Sequence, residues 1–184
     1  MDAWCPTVEK FLPVTPSRAL RVAGAIHHVT VRRADGAALF RSIDDRCALD
    51  AAVGALLAES AGRAHAYCWM TNHVHLAVEI DPSRAGAFQE RLARALGVTD
   101  PQAPPPVVDA QAYLLELVRY IHRNPLDAGL VRDPVDYRWS GHGVYLGRPG
   151  VPWLCTDHVL RLLGGDLLKA VAAYAAYVGG GIAR

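Results

Sequence analysis

The stretch Ala64–Ile80, "AHAYCWMTNHVHLAVEI", constrains this chain more than any other. Ala64–Met70 reads as one strand, Thr71 and Asn72 as a tight turn, and Val74–Ile80 as a second strand, giving a β-hairpin. Side chains alternate along a strand with a period of two. Val74, Leu76 and Val78 therefore point to one face, and His73 and His75 to the other. The apolar face needs a second layer to cover it, and the rest of the chain must supply that layer.

Ala25–Arg33, "AIHHVTVRR", is β-branched and alternating and predicts an earlier strand. Asp44–Ser60 opens with acids and continues with Leu49, Val53, Leu56 and Leu57 at helical spacing. Ser83–Leu96 predicts a second helix capped by Ser83, followed by a proline-rich connection over Gly97–Pro106. Val107 and Val108 read as a short strand that the preceding prolines confine to a sheet edge. A third helix is expected from a cap at Asp109 through Asn124, with Leu114, Leu117, Val118 and Ile121 as its buried stripe. Pro125 is expected to end it, because the residue before a proline resists helical geometry. Gly129 suits a helix-terminating or turn position. Asp157–Val178 predicts two helical pieces broken at Gly164 and Gly165. Residues 1–24, with Pro6, Pro13 and Pro16, read as irregular.

This order is that of an α+β, ferredoxin-like βαββαβ antiparallel sheet with a C-terminal helical extension. The 184 residues are expected to form a single domain, with a core over 20–150 and a helical tail over 151–184. In such a sheet the first and third strands are central and adjacent, so "HHVTV" lies beside "HVHLAV".

A hydrophobic fraction of 52%, a charged fraction of 20% and a formal net charge of +1 argue against strong overall attraction to polyanions. Charge is nevertheless uneven. Residues 1–43 carry Lys10, Arg18, Arg21, Arg32, Arg33 and Arg41 against Asp2, Glu9 and Asp35. Cys5, Cys47, Cys68 and Cys155 form no C-x-x-C pair and read as free thiols in a reducing, cytoplasmic compartment. The amino terminus lacks the pattern of a signal peptide. The apolar run Ala170–Val178 is too short to span a bilayer.

Two features carry chemistry. His73 and His75, flanking one valine on one strand face, can chelate a divalent ion if a third ligand arrives from elsewhere. The second is Arg119–Val131, "RYIHRNPLDAGLV", in which Tyr120 and Asn124 are four apart and share a helix face. Arg119, His122 and Arg123 crowd the same helix end as an electropositive patch. Each feature alone also fits a bland role: solvent-exposed imidazoles, a helix-end asparagine, a tyrosine packing as expected for Tyr113.

Taken together, "YCWMTNHVHLAVEI" followed by "YLLELVRYIHRNPLDAGLV" resembles the REP-associated tyrosine transposases, the single-tyrosine branch of the HUH endonucleases. "HHVTVRR", "LFRSIDDRCAL", "YRWSGHGVYLG" and "WLCTDHVLRLLG" are similar to other parts of that family in the same order. The resemblance runs over about residues 20–180, with gaps. It implies metal-assisted nicking and joining of single-stranded, hairpin-associated DNA from palindromic repeats. Tyr120 is then the nucleophile that forms a 5′-phosphotyrosine link. His73, His75 and Asn124 are the ligands of Mg²⁺ or Mn²⁺, and Arg32, Arg33, Arg119 and Arg123 the DNA contacts. The phenol proton is expected to pass to the metal environment, a base or water; the sequence does not name that base, and nothing in it supports His122 beyond its place on the same helix. A nucleoid-associated monomer without membrane contact is expected, a dimer remaining open. The space between the histidine strand and the tyrosine helix is less basic than in the family, with Arg84, Arg91 and Arg94 alone. Two other readings compete. One is a non-mobilising regulator that binds single-stranded nucleic acid on the same fold, with exposed sheet aromatics stacking bases. The other is a metal hydrolase built on H-x-H.

Overall fold

The alternation read in the sequence gives the central sheet two apolar faces, and both are covered. The computed structural model describes residues 24–99, 105–108 and 112–180. In it β1 (Ala25–Arg32), β2 (Arg63–Trp69), β3 (His73–Ile80) and β4 (Val107–Val108) form one antiparallel sheet in the order β2-β3-β1-β4. This is the ferredoxin-like arrangement, with β1 and β3 central and the two-residue β4 at an edge. The β1–β3 register sets Thr30 opposite His75 and Arg32 opposite His73.

On the first face, Val29, Val31, Tyr67, Trp69, Val74, Leu76 and Val78 pack against α1 (Ile43–Ser60) and α2 (Pro82–Ala95). The helices contribute Leu49, Val53, Leu56, Leu57, Phe88 and Leu92. On the second face, Ile26, Ala66, Cys68 and Ala77 lie under α3 (Ala112–Asp127), α4 (His142–Tyr145), α5 (Asp157–Leu163) and α6 (Leu167–Gly179). Leu114, Val118 and Ile121 of α3 meet Val159, Tyr174 and Val178 of the tail in that second core. A register shift between Ala64 and Ala66 lets β2 send the first to one core and the second to the other.

The helix ends differ from expectation in instructive ways. Ser42 and Asp45 form a reciprocal capping box that starts α1. The α2 cap is Asp81, not Ser83: its carboxylate accepts from the Ser83 backbone N–H at 2.9 Å. Pro82 fits the first helical position because its missing N–H is not needed there. The helix α3 does not stop at Pro125 but runs to Asp127. Proline there removes one backbone donor only. Ala128 N–H still donates to the Asn124 carbonyl at 2.9 Å, and Gly129, at φ 69°, turns the chain away.

The stretch after α3, to which no element was assigned, contains a 3₁₀ turn at Pro134–Asp136 and then runs along β2. Trp69 N–H donates to Trp139 O at 2.8 Å, and Gly141 N–H to Tyr67 O at 3.0 Å. Cys68 and Cys155 are free thiols, but Cys47 is disulfide-bonded, which corrects the reading of four free thiols. Spacing along a chain does not record which sulfurs folding brings together. Cys5, the irregular segment 1–23 and the Asp109 cap lie outside the described residues. Among the described residues no helix is long and apolar enough to cross a membrane.

Candidate active site

The site begins with the second face of β3. His73 lies half-buried at the strand's start and His75 is 5% exposed, so the second imidazole is part of the packed interior rather than a surface residue. Their rings stand nearly perpendicular, with centroids 4.7 Å apart. His73 Nδ1 lies 2.7 Å from Asn72 Oδ1 and 3.3 Å from Arg32 Nη2. A ring nitrogen cannot both donate to the amide oxygen and accept from the guanidinium. The shorter contact favours a proton on Nδ1, leaving the Nε2 lone pair available.

His75 is gripped from the neighbouring strand. Its Nδ1 lies 3.0 Å from His28 Nε2 and 3.2 Å from Thr30 Oγ1. Its Nε2 is buried and has no hydrogen-bond partner among the described residues. Burial pushes the His75 pKa from 6.5 down to about 3, helped by His28, His73 and Arg32, while the nearby Asn124 side chain pulls the other way. His73 is lowered by burial and by Arg32, again opposed by Asn124. His28 is lowered by burial. All three rings are held neutral, the state in which imidazole offers a lone pair to a cation.

The helix α3 lies over this group. Tyr120 is 51% exposed, and its ring meets those of His75 and His28 edge-on, each with centroids 5.7 Å away. One turn later, the Asn124 side chain stands close enough to both imidazoles to raise their pKa values, and its Nδ2 donates to the Tyr120 carbonyl at 2.8 Å. The fold thus gathers His73, His75, Tyr120 and Asn124 on one surface. It adds His28 and Thr30, which sequence reasoning did not assign. Their signal was present: they alternate with Val29 and Val31 on a strand expected beside β3, and only the register was missing.

Of the basic neighbours on α3, Arg119 and Arg123 share the side that meets α6, and His122 departs from them. Arg119 stacks on Tyr177 of α6 at 5.3 Å and lies 3.9 Å from Glu116. Arg123 donates to the Val178 carbonyl at 2.8 Å and approaches Asp127 at 3.4 Å. His122 is fully buried on another flank, where Tyr174 Oη bridges its Nδ1 at 2.8 Å and His142 Nδ1 at 2.7 Å. Successive helix positions point about 100° apart, so His122 turns away from the adjacent Arg123. His122 does not share the surface of Tyr120 and is not its base. Tyr113, expected to pack, is 59% exposed. At the rim, Arg32 lies beside His73, and Arg33 pairs with Asp35 at 2.6 Å.

Among the described residues no three His, Cys, Asp or Glu side chains are grouped to hold a metal ion, so a three-ligand set here has to draw on the Asn124 amide. Glu79, the acid on this strand face, is committed elsewhere: it lies 3.0 Å from His65 Nε2 and 3.8 Å from Arg63 Nε. That weakens the metal-hydrolase reading, which needs carboxylates beside the imidazoles.

No protein-family model and no curated protein matches the chain. A search of solved structures finds "Structure of the REP associates tyrosine transposase bound to a REP hairpin". The two share 18% identity over 77% of this chain and 92% of that one, with a TM-score of 0.56. The chain described here has the fold of a REP-associated tyrosine transposase.

Proposed function

We propose that this protein is a single-tyrosine HUH-type nicking and joining enzyme acting on single-stranded DNA beside a hairpin. The observation that carries the reading is the position of Tyr120. It is an exposed phenol set edge-on above two neutral imidazoles, on the helix whose Asn124 reaches the same pair. An exposed phenol next to groups that can hold a metal is an arrangement suited to nucleophilic attack on a phosphodiester. The solved transposase of the same fold is bound to a REP hairpin, which supports hairpin DNA as the substrate class.

The donor set fits a divalent cation. The buried, unpartnered Nε2 of His75, the half-buried ring of His73 and the amide of Asn124 present neutral donors toward one region. Mg²⁺ or Mn²⁺ held by His73, His75 and Asn124 would polarise the scissile phosphate and offset charge on its oxygens. The rest of the step belongs to the chain. Tyr120 Oη attacks phosphorus and gives up its proton to solvent. The bond from phosphorus to the 3′ oxygen breaks, that oxygen takes up a proton, and the 5′ phosphate remains esterified to Tyr120. Attack by a second 3′ hydroxyl on the phosphotyrosine reverses the step and joins strands. Arg32 and Arg33 at the rim are the expected phosphate contacts, and Arg119 and Arg123 combine any such role with holding α6.

Incubation of a single-stranded hairpin oligonucleotide with the protein and Mn²⁺ tests the reading. A denaturation-resistant protein–DNA adduct is expected. Tight hairpin binding with no adduct would instead mark a non-mobilising binder. A binder that stacks bases on the sheet is disfavoured, because both sheet faces are covered and Tyr67 and Trp69 are buried.

A further inference from the structure

We infer that His28 is a positioning residue: it accepts the Nδ1 proton of His75 and so holds that imidazole in the tautomer whose buried Nε2 keeps its lone pair. The assignment to a metal site rests on the proposed function above, whereas the tautomer itself does not.

Four observations converge. His28 Nε2 and His75 Nδ1 are 3.0 Å apart, and their rings stack at 5.1 Å with 28° between planes. Two neutral imidazoles at that distance share one proton, so one nitrogen donates and the other accepts. Thr30 Oγ1 sits 3.2 Å from His75 Nδ1 and 3.3 Å from His28 Nε2 and supports either direction. The far side of His75 decides between them. Its Nε2 is buried and meets no partner among the described residues. A proton there would be a buried donor that makes no hydrogen bond in this arrangement, whereas a buried lone pair is the group a cation seeks. The proton therefore belongs on Nδ1, and His28 Nε2 accepts it.

The His28 ring also meets Tyr120 edge-on at 5.7 Å. One side chain thus touches both the expected ligand and the expected nucleophile. Its substitution should misplace two groups that α3 and β3 otherwise hold separately. The strand makes this local: β1 presents His28 and Thr30 on the face that carries His75, through the Thr30–His75 pairing.

The test is long-range ¹H–¹⁵N correlation on the metal-free protein at neutral pH, with ¹⁵N-histidine labelling. His75 is expected as the Nδ1–H tautomer, with a non-protonated Nε2. Observation of the Nε2–H tautomer in the unmodified protein would overturn the inference, and this readout needs no variant. His28→Phe keeps a ring and removes the acceptor. It should shift the His75 tautomer and weaken Mn²⁺ binding at least about ten-fold by calorimetry, the usual scale for losing the partner of a ligating histidine. His28→Gln, which keeps an acceptor oxygen, should restore much of both. If His28→Phe folds but leaves tautomer and Mn²⁺ affinity unchanged, His28 only fills space. A correct tautomer with no Mn²⁺ binding in any form would count against the metal-enzyme reading while leaving the His28–His75 relationship standing.

Discussion

Asn124 donates its side-chain amide to the backbone carbonyl of Tyr120, 2.8 Å away, so the expected ligand and the expected nucleophile are tied within one helical turn. The tie fixes which tyrosine is presented to the imidazoles. Tyr113, seven residues earlier, lies about 10 Å away along the axis by the standard helical rise and has no contact with that pair.

Tyr120→Phe should abolish the covalent adduct and leave hairpin binding in place. Tyr120 is half exposed, so losing one oxygen should change the melting temperature little. Tyr113→Phe should leave adduct yield close to that of the unmodified protein. Peptide mapping of the trapped adduct checks both, and DNA attached to any residue but Tyr120 would refute the assignment.

His73→Ala and His75→Ala should both remove Mn²⁺-dependent cleavage, but they should differ in stability. His73 is half-buried, whereas His75 is 5% exposed and bonded to β1. Truncating it leaves a void and strands two partners, at a cost of about 1–3 kcal/mol. Urea titration of the two single variants distinguishes them. Equal unfolding midpoints would contradict the packing described.

Acid should destabilise the fold below about pH 6.5. His75 and His142 have pKa values lowered by burial to about 3 and about 4, and His122 lies well below 6.5 for the same reason. Below 6.5 the unfolded chain takes up protons that the folded chain refuses, so stability falls with falling pH by about 1.4 kcal/mol per unit for each such group. Asp50 works the other way: burial raises it from 3.8 to about 6, despite the hydrogen bond from Trp69, so the folded form binds its proton first. Three histidines against one carboxylate leave a net loss. Melting temperatures recorded from pH 7 to pH 5 should fall, and a flat or rising series would be inconsistent with this balance.

Arg123→Ala should act mainly on stability. Its guanidinium closes the carbonyl end of α6 at Val178, where positive charge meets the negative end of the helix dipole, an interaction worth about 0.3–2 kcal/mol. Arg32→Ala, at the rim beside His73, should act mainly on hairpin affinity and reduce its salt dependence by about one phosphate contact. The opposite pattern, with Arg123→Ala sparing the melting temperature and flattening the salt dependence, would assign Arg123 to DNA.

Much of this architecture was legible in the chain. Alternation in β1 and β3, helical spacing of Leu49, Val53, Leu56 and Leu57, and the Gly164–Gly165 break are local signals, and local chemistry determines them. Helix ends were less legible. Asp81 and Ser83 are both good caps two residues apart, and only the backbone shows which is used. In the site, His73, His75, Tyr120 and Asn124 followed from spacing and resemblance. The partnership of His28 with His75 depends on strand register, which no single segment encodes. The burial of His122 and the engagement of Arg123 depend on what surrounds α3, and α6 supplies that from more than fifty residues away.

The covering of the sheet's second face by α3 to α6 carries a consequence for inheritance. In many ferredoxin-like proteins that face is bare, and appended segments can be gained or lost as separate modules. Here Val159, Tyr174 and Val178 share a core with Ile26, Ala66 and Ala77. A recombination event that exchanged residues after 150 would strip the roof from the strands and loosen the helix bearing Tyr120 in the same stroke. Tail and α3 must therefore diverge together, and grafted chimaeras should fold only when their junctions fall outside this shared interior.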